Sequence, residues 1–411
     1  MAVIRPFTAL RPEKNVAPQV ASVPYDVVNR EEAALFAADF PYSYLRITRA
    51  EIELDKSVNP YSDEVYQLAK KNLEKIKKGA PLLTDDKPHF YIYKLVMGSQ
   101  SQVGIAATFS VDDYENNIIL KHEKTRKEKE DDRTNHITAT EAQTGPVFLT
   151  YKGVSAVDNI VNEVMKNSEP VYSFTAPDGI IHTVWIMPEE FNGRIIEQFE
   201  AVKYLYIADG HHRAASAARA RKVKKDGNAE HTGEEEYNYF LAVLFPAGQL
   251  KIMPYNRVVF DMNGLTKEEY FGRINEYFTV RETGCPEPSK RREISMYLDQ
   301  KWYSLEPNEK VKASSNVGDN LDVSILQNYL LNPVLGIDDP RTNKRIDFIG
   351  GIRGTKELEN LVNSGKAKVA FSLYPVSVQE LMDIADAGEI MPPKSTWFEP
   401  KLRDGLQVHM I

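Results

Sequence analysis

The sequence predicts an α+β protein with more than one domain, and three observations support this prediction. The chain has 411 residues, which exceeds the roughly 250–300 residues at which a single hydrophobic core stops growing. Hydrophobic residues make up 42% of the chain and charged residues 27%, as in soluble globular proteins. Apolar runs typical of strands are interspersed with helical patterns, and two such runs, over 90–96 and 102–110, predict a hairpin.

The composition argues against several classes of protein. No run of about 18 apolar residues occurs, so we predict no membrane-spanning segment. The first ten residues contain no long apolar segment and no small-residue cleavage site, so we expect a cytoplasmic protein. Cys285 is the only cysteine, which excludes an internal disulfide and a cysteine-based zinc cluster. The net charge of −8 argues against extended nucleic-acid binding as the main task.

The stretch Tyr204–Ala220 is the most informative part of the sequence. Its apolar run over 205–208 predicts a buried strand. Asp209 and Gly210 then predict a turn, because glycine accepts positive φ angles and aspartate bonds readily to nearby backbone. The alanine-rich segment that follows predicts a helix beginning at His211.

This turn brings polar side chains to one helix N-terminus. Asp209, His211, His212 and Arg213 all lie within the predicted turn and the first helical residues. A helix N-terminus carries unpaired N–H groups and partial positive charge, which suit a phosphate or a carboxylate. The alternative is a capped helix with solvated side chains in its first turn, because an Asp-Gly turn before a helix is common.

A second cluster of polar residues lies over 121–136. The dense charge there is typical of a solvated helix face, but His122 and Glu123 directly follow an apolar strand pattern. A histidine next to a glutamate at a strand end can act as an acid/base pair when burial or a neighbour tunes it. The alternative for Glu123 is an ordinary surface carboxylate. Arg133 and His136 lie three residues apart, and therefore on one face if this segment is helical.

Further candidate anion contacts occur later in the chain. Arg257 lies in a proline-bounded segment, and Lys394, Ser395 and Thr396 follow two prolines in a predicted loop. An ammonium and two hydroxyl groups suit an oxyanion. The alternative is that these residues belong to a packed terminal segment.

Two predictions concern the N-terminal part of the chain. Residues 40–49 have the pattern of a strand, with Arg46 and Arg49 as candidate anion contacts. Asp26 follows a strand-like segment, and its favoured role is to cap a helix that begins around Arg30.

Several motifs together resemble a large bacterial and archaeal family of uncharacterised function. They are ADGHHR after a strand, KHEKT and DRTNH upstream, and MPPKSTWFEPKL at the C-terminus. The resemblance extends over nearly the whole chain and implies a ParB/sulfiredoxin-like mixed sheet with flanking helices, plus an additional C-terminal α+β region. We therefore predict an N-terminal α/β segment over 1–88, a nucleotide-binding core over 89–260 and a C-terminal region over 261–411.

The resemblance also implies a function, because free-serine kinases are similar in carrying DGHHR and an upstream glutamate. It implies catalytic roles for Glu123, His122 and Asp209, with Glu123 deprotonating a hydroxyl group and Asp209 holding Mg²⁺. The nucleotide-binding residues would be Gly210, His211, His212, Arg213, Arg257, Lys394, Ser395 and Thr396. The expected donor is ATP or ADP, with CTP as a further candidate. The expected acceptor is a small hydroxylated metabolite, with free L-serine first.

Two other classes of function stay open at the level of the sequence. A ParB-like nucleotide-binding regulatory module would keep the DGHHR turn without depending on Glu123. A metal-dependent hydrolase could use Asp209 and several histidines as ligands, although no helical H-x-x-x-H spacing supports it. Position 211 is His where sulfiredoxin has its catalytic cysteine, and no clear helix-turn-helix supports DNA partitioning.

Overall fold

A computed structural model describes residues 2–79 and 82–411 of the chain. Contacts between residues divide the chain into two compact units. The first unit consists of Met1–Lys121, Thr125–Leu250 and Pro400–Ile411, and the second of His122–Lys124 and Lys251–Glu399. The division into 1–88, 89–260 and 261–411 stays a prediction.

The described residues form 21 β-strands, most of them short. They are β1 (Ile4–Arg5), β2 (Ala9–Pro12), β3 (Leu82–Thr84), β4 (Tyr91–Met97), β5 (Gln100–Ser110), β6 (Ile119–Leu120), β7 (Ala142–Gln143), β8 (Val147–Tyr151), β9 (Tyr172–Thr175), β10 (Ile181–Ile186), β11 (Leu205–Asp209), β12 (Tyr239–Pro246), β13 (Lys251–Met253), β14 (Tyr255–Val259), β15 (Phe278–Thr283), β16 (Ile294–Leu298), β17 (Lys301–Pro307), β18 (Ile346–Gly350), β19 (Val369–Leu373), β20 (Trp397–Glu399) and β21 (Val408–Met410).

The same residues form 13 α-helices, and a short π-helix over Gln327–Leu331 continues one of them. The α-helices are α1 (Ala17–Val20), α2 (Arg30–Ala37), α3 (Leu45–Thr48), α4 (Asp63–Gly79), α5 (Val111–Glu115), α6 (Lys127–Thr140), α7 (Ser155–Asn167), α8 (Asn192–Glu200), α9 (His211–Asp226), α10 (Lys267–Ile274), α11 (Asp322–Leu326), α12 (Gly354–Asn363) and α13 (Val378–Asp386). Within the described ranges, no helix has both the length and the apolar character needed to cross a bilayer.

A nine-stranded mixed sheet forms the centre of the first unit. Its order is β6-β11-β8-β12-β5-β4-β10-β9, with β1 also paired to β5. The β11–β6 and β12–β8 pairs are parallel, whereas the other pairs are antiparallel. The predicted hairpin is confirmed as the β4–β5 pair. The α+β class is therefore confirmed, and the ParB/sulfiredoxin assignment of this sheet stays a prediction.

The core of the first unit lies between this sheet and the apolar faces of α7, α8 and α9. Val161, Phe199 and Ala217 come from these three helices and pack with buried sheet residues such as Leu149 and Leu244. Burying one large apolar side chain stabilises a fold by roughly 1.5–3 kcal/mol. The position of α9, which follows the DGHHR turn, is thus fixed by core packing.

A smaller four-stranded sheet completes the first unit, in the order β3-β2-β21-β7. The strand β21 pairs with β2 on one side and with β7 on the other. The last residues of the chain therefore join two strands that lie far apart in the sequence.

The second unit contains a six-stranded sheet in the order β15-β17-β16-β19-β14-β18. A separate antiparallel pair, β13–β20, brings Ile252 opposite Phe398. The helix α12 covers this sheet through Leu358, which packs with Val258 and Ala370.

The predicted strand over 40–49 is wrong. This segment contains a turn followed by the short helix α3. Arg46 donates to the carbonyl oxygens of Phe40 at 3.3 Å and Ala37 at 2.8 Å, so it caps the end of α2. Arg49 pairs with Glu51 at 2.9 Å. The bonds of Arg46 to carbonyl groups six and nine residues earlier outweigh the local strand preference of the aromatic residues.

The favoured role of Asp26 as a helix cap is also wrong. The helix α2 begins at Arg30, but its N-cap is Asn29, whose side chain accepts from Glu32 N–H in a capping box. The side chain of Glu32 accepts in return from the backbone of Asn29 at 2.9 Å. Asp26 is therefore available for another partner.

Two glycines of the first unit give a test of its packing. A Cβ at Gly104 would lie 2.8 Å from the Phe245 ring and 2.9 Å from a backbone oxygen, whereas a Cβ at Gly193 in α8 would meet no atom of the described residues within 4 Å. We expect Gly104→Ala to lower the free energy of unfolding by about 1–3 kcal/mol. The matched control Gly193→Ala should raise it by up to about 1 kcal/mol. Urea denaturation measures both changes, and equal effects would contradict this packing.

Candidate functional site

The DGHHR turn has the local structure that the sequence predicts. The strand β11 ends at Asp209, and the helix α9 begins at His211 with Gly210 at its N-cap. Gly210 has a φ of +91°, a left-handed conformation that disfavours any residue with a Cβ. Glycine has no side chain that could cap the helix, and the first helical residues, HHRA, include no acid. The partial positive charge of this N-terminus is therefore not offset within its own first turn.

Asp209 forms an ion pair that the sequence did not reveal. One carboxylate oxygen accepts from the backbone N–H of Gly210 at 3.0 Å, and the other lies 3.0 Å from Nζ of Lys401. The Lys401 side chain is only 10% exposed. A buried ammonium thus holds the carboxylate in place at the end of the strand. Lys401 lies within the motif MPPKSTWFEPKL. Its place in this motif is the only feature of the sequence that points to a role for Lys401.

The two histidines of the turn have different environments. His211 is buried, and His212 is half-buried. The Nε2 atom of His212 accepts from the backbone N–H of Arg126 at 3.0 Å, so this nitrogen carries no proton in the described state. Arg126 is the N-cap of α6, and this contact therefore joins the beginnings of two helices.

The helix α6 packs along α9 through polar contacts as well. Ser216 donates to the carbonyl oxygen of Glu130 at 3.2 Å, and Arg219 pairs with Glu130 and Asp131. The segment 127–136 is thus helical and lies beside the DGHHR helix. These ion pairs are partly exposed, so each contributes little to stability.

Arg133 and His136 of the same helix have structural partners. Arg133 pairs with Asp132 at 2.9 Å and lies 4.2 Å from the centre of the Tyr25 ring. His136 is buried, with Nε2 at 2.9 Å from the carbonyl oxygen of Ile47. Burial, followed by the charge of Arg133, lowers the pKa of His136 to about 4. The neutral imidazole of His136 donates its Nε2 proton to a carbonyl oxygen, so this nitrogen cannot also bind a metal ion. His136 therefore has a structural role.

Arg213 extends from the helix start into the interior of the first unit. Its guanidinium donates to the carbonyl oxygen of Pro146 at 2.6 Å and to Asp26 at 3.2 Å. Burial alone would lower the pKa of Arg213, but the charges of Asp26, Asp209 and Asp404 raise it above its usual value. Asp26 is therefore the counterion of Arg213. The binding of phosphate by Arg213 stays a prediction.

A buried carboxylate, that of Asp404, lines a cavity together with Arg213. Asp404 is 1% exposed, and neither of its carboxylate oxygens accepts a hydrogen bond from the described residues. Burial raises the pKa of Asp404 to about 7, against the opposing effect of Arg213. Asp404 lines a cavity of about 30 Å³ together with Arg133, Arg213 and Tyr25. This volume suits a water molecule, which could partner the carboxylate.

The remaining predicted site residues belong to the second unit. His122 is buried and Glu123 half-buried, and the carbonyl oxygen of His122 accepts from the backbone N–H of Met391 at 2.8 Å. Arg257 is 2% exposed and donates to the carbonyl oxygens of Tyr255 and Pro393. Burial lowers the pKa of Arg257 to about 9.

The terminal loop of the second unit follows Pro393. Lys394 has a φ of +56°, and its Nζ lies 5.5 Å from the centre of the Tyr255 ring. Ser395 donates to the carbonyl oxygen of Pro392 at 2.6 Å, and Thr396 is half-buried. Arg257 and this loop are thus brought together. Their role in nucleotide binding stays a prediction.

The buried carboxylate gives a pH-dependent prediction. The pKa of Asp404 is about 7 in the folded protein, whereas an aspartate in an unfolded chain has a pKa near 3.9. The folded state therefore binds more protons than the unfolded state between about pH 4 and 7. The contribution of Asp404 to the free energy of unfolding consequently falls as the pH rises through that window. We expect Asp404→Asn to raise the free energy of unfolding by a few kcal/mol at pH 8, and by much less at pH 4.5.

Urea denaturation at the two pH values measures this difference. The exposed carboxylate Asp86 provides the control, since Asp86→Asn should change stability little at either pH. A gain for Asp404→Asn that is the same at pH 4.5 and pH 8 would contradict the prediction.

Comparison with known proteins places the chain in a family. A family model described as "Protein of unknown function (DUF1015)" matches residues 4–324.

The chain is also similar to solved structures, and each of the three named here covers 74–75% of this chain. They are a conserved hypothetical protein from Pyrococcus furiosus (12% identity, 95% of that chain, TM-score 0.37), a free serine kinase in complex with AMP (14% identity, 91% of that chain, TM-score 0.35) and SbnI with a C-terminal truncation from Staphylococcus aureus (13% identity, 87% of that chain, TM-score 0.39).

No curated protein matches the chain. The family match, in contrast, covers well over half of the sequence, including the DGHHR turn and the upstream KHEKT segment. The chain therefore belongs to the DUF1015 family of proteins of unknown function.

Proposed function

We propose that this protein is a nucleotide-dependent phosphotransferase that acts on a small hydroxylated metabolite, with free L-serine as the first candidate acceptor. The observation that carries the proposal is the N-terminus of α9. A 16-residue helix begins directly after Gly210, without a capping side chain and without an acid in its first turn. Backbone N–H groups and the helix dipole at such an end suit the phosphates of a nucleotide.

Asp209 is the candidate ligand for Mg²⁺ in this proposal. Mg²⁺ is commonly held by one or two carboxylates together with phosphate oxygens. Asp209 pairs with the Lys401 ammonium, and its side chain is 29% exposed. Its oxygen and the helix N-terminus thus offer a hard ligand next to a phosphate position. Mg²⁺ bound there would neutralise phosphate charge, and the Lys401 ammonium would have to share the carboxylate or move from it.

The chemistry requires little covalent help from the protein. The acceptor oxygen attacks the terminal phosphorus of the nucleotide, the bond from that phosphorus to the leaving oxygen breaks, and the hydroxyl proton needs an acceptor. We assign the role of proton acceptor to Glu123 because of the motif resemblance. His122 precedes it in the sequence. The contacts of Arg213 with Asp26 and Pro146 position the turn, and Arg213 is also a candidate phosphate contact in this proposal.

The direct test is an assay for product. The purified protein would be incubated with Mg²⁺, each of ATP, ADP and CTP, and a pool of small hydroxylated metabolites that includes serine. Mass spectrometry would detect a phosphorylated acceptor with one donor if the proposal is right. Nucleotide binding without any phosphorylated product would favour the ParB-like regulatory module instead.

The role of Glu123 gives a mutational prediction. Glu123→Gln should lower turnover by a factor of about 10²–10⁴, because it removes the proton acceptor. Nucleotide affinity should change less than twofold, since the amide keeps the shape of the side chain. Glu128→Gln, on the exposed surface of α6, is the control and should leave both quantities unchanged. Steady-state kinetics and calorimetry measure them, and full turnover by Glu123→Gln would refute the assignment.

The turn itself gives a second prediction. Gly210→Ala forces an alanine into a left-handed conformation, which costs roughly 1–2 kcal/mol and shifts the backbone N–H groups that follow. We expect nucleotide affinity to fall at least tenfold. Gly233 has a φ of +100° in the loop that follows the C-terminal end of α9, and a Cβ there would meet no atom of the part of the chain that the structure describes within 4 Å. Gly233→Ala therefore carries the same backbone strain and should leave nucleotide affinity intact. Similar losses in the two variants would falsify the role of the turn.

A further inference from the structure

We propose that the first unit contains a second ligand site, a pocket that binds a small organic acid with an apolar or aromatic body. The pocket has a volume of about 370 Å³, within the roughly 300–1,000 Å³ typical of small-molecule sites. It lies between the segment 18–23, the helix α2 with the turn after it, and the β9–β10 connection. No residue of the DGHHR turn lines it.

The walls of this pocket are mostly apolar. Aromatic side chains come from three places, and they are Phe36, Phe40 and Phe174. Leu35 and Phe36 are 72% and 50% exposed, so part of the apolar wall is in contact with water. A ligand with an apolar body would remove this surface from water and gain the corresponding hydrophobic free energy.

A single buried cation lines the same pocket. The Arg403 side chain is 4% exposed, and its guanidinium pairs with Asp178 through one nitrogen. A guanidinium has five N–H donors, and no other side-chain hydrogen bond of Arg403 is formed with the described residues. Arg403 thus has donors left for a ligand, in the planar arrangement that suits a carboxylate.

The positions of the charged side chains determine which charge a ligand can carry. The two carboxylates of the pocket lie at its rim, where Asp178 is 44% exposed and Asp39 is exposed. Water and salt screen exposed charges strongly, whereas a buried charge acts through a medium of lower dielectric constant. Asp178 engages only one nitrogen of Arg403, so the polar groups that a ligand meets inside the pocket are the remaining N–H donors of this buried guanidinium. An anionic group would point towards Arg403, with the apolar body against the phenylalanines.

Binding of defined probes tests the proposal. Phenylacetate and indole-3-acetate would be titrated into the full-length protein without nucleotide, by calorimetry and by saturation-transfer NMR. Phenylacetamide and phenethylamine are the matched neutral and cationic probes. We expect saturable binding of the acids, at least tenfold tighter than that of the amide or the amine. Because no nucleotide is present, the result does not depend on the proposed phosphotransferase activity.

Three variants identify the pocket. Arg403→Gln should weaken acid binding at least tenfold, and Phe36→Ala, on an exposed surface where folding is not at risk, should weaken it severalfold. Asp178→Asn should tighten acid binding, because it removes the competing carboxylate from Arg403. Val223→Ala changes an equally exposed side chain of α9 and should have no effect.

Three outcomes would overturn the proposal. The first is a lack of saturable binding by either acid. The second is equal or tighter binding of the amide or the amine. The third is acid binding that Phe36→Ala and Asp178→Asn both leave unchanged, because the acids would then bind elsewhere.

Discussion

The buried guanidinium of Arg213 is the interaction on which the proposed active-site turn depends. It joins the start of α9 to the carbonyl oxygen of Pro146 before β8 and to the carboxylate of Asp26 near the N-terminus. The Arg213 side chain is 8% exposed and that of Asp26 is 35% exposed, so the loss of Asp26 would leave a buried positive charge without its nearest counterion. The start of α9 is consequently held in place by contacts that reach the residue before β8 and the N-terminal segment.

Most of the turn could be predicted because its causes are local. An apolar run, an Asp-Gly pair and an alanine-rich segment specify the strand, the turn and the helix within a few residues of one another. Asp26 and Lys401 could not be assigned in this way, since they lie 187 and 192 residues from Arg213 and Asp209. The prediction of a strand over 40–49 is wrong for a different reason. Its aromatic residues favour a strand locally, but Arg46 is committed to the backbone at the end of α2.

The segment 400–411 links several features of the first unit. Within four residues, Lys401 contacts Asp209 at the DGHHR turn, Arg403 contributes the cation of the apolar pocket, and Asp404 lines the small cavity beside Arg213. Successive residues of an extended chain point to opposite sides, which lets the neighbours Arg403 and Asp404 line different cavities. Asp404 also costs stability when it is ionised, so this segment is not optimised for stability alone.

The discontinuity of the first unit has a consequence for its synthesis. Residues 251–399 of the second unit are made between the bulk of the first unit and its final segment. At about 5–20 residues per second, the strand β11 and the helix α9 wait on the order of ten seconds or more for their C-terminal partners. During that time Asp209 lacks Lys401, and β2 and β7 lack the strand between them. A nascent chain therefore cannot complete the DGHHR environment early, so a chain released before residue 400 would lack these contacts.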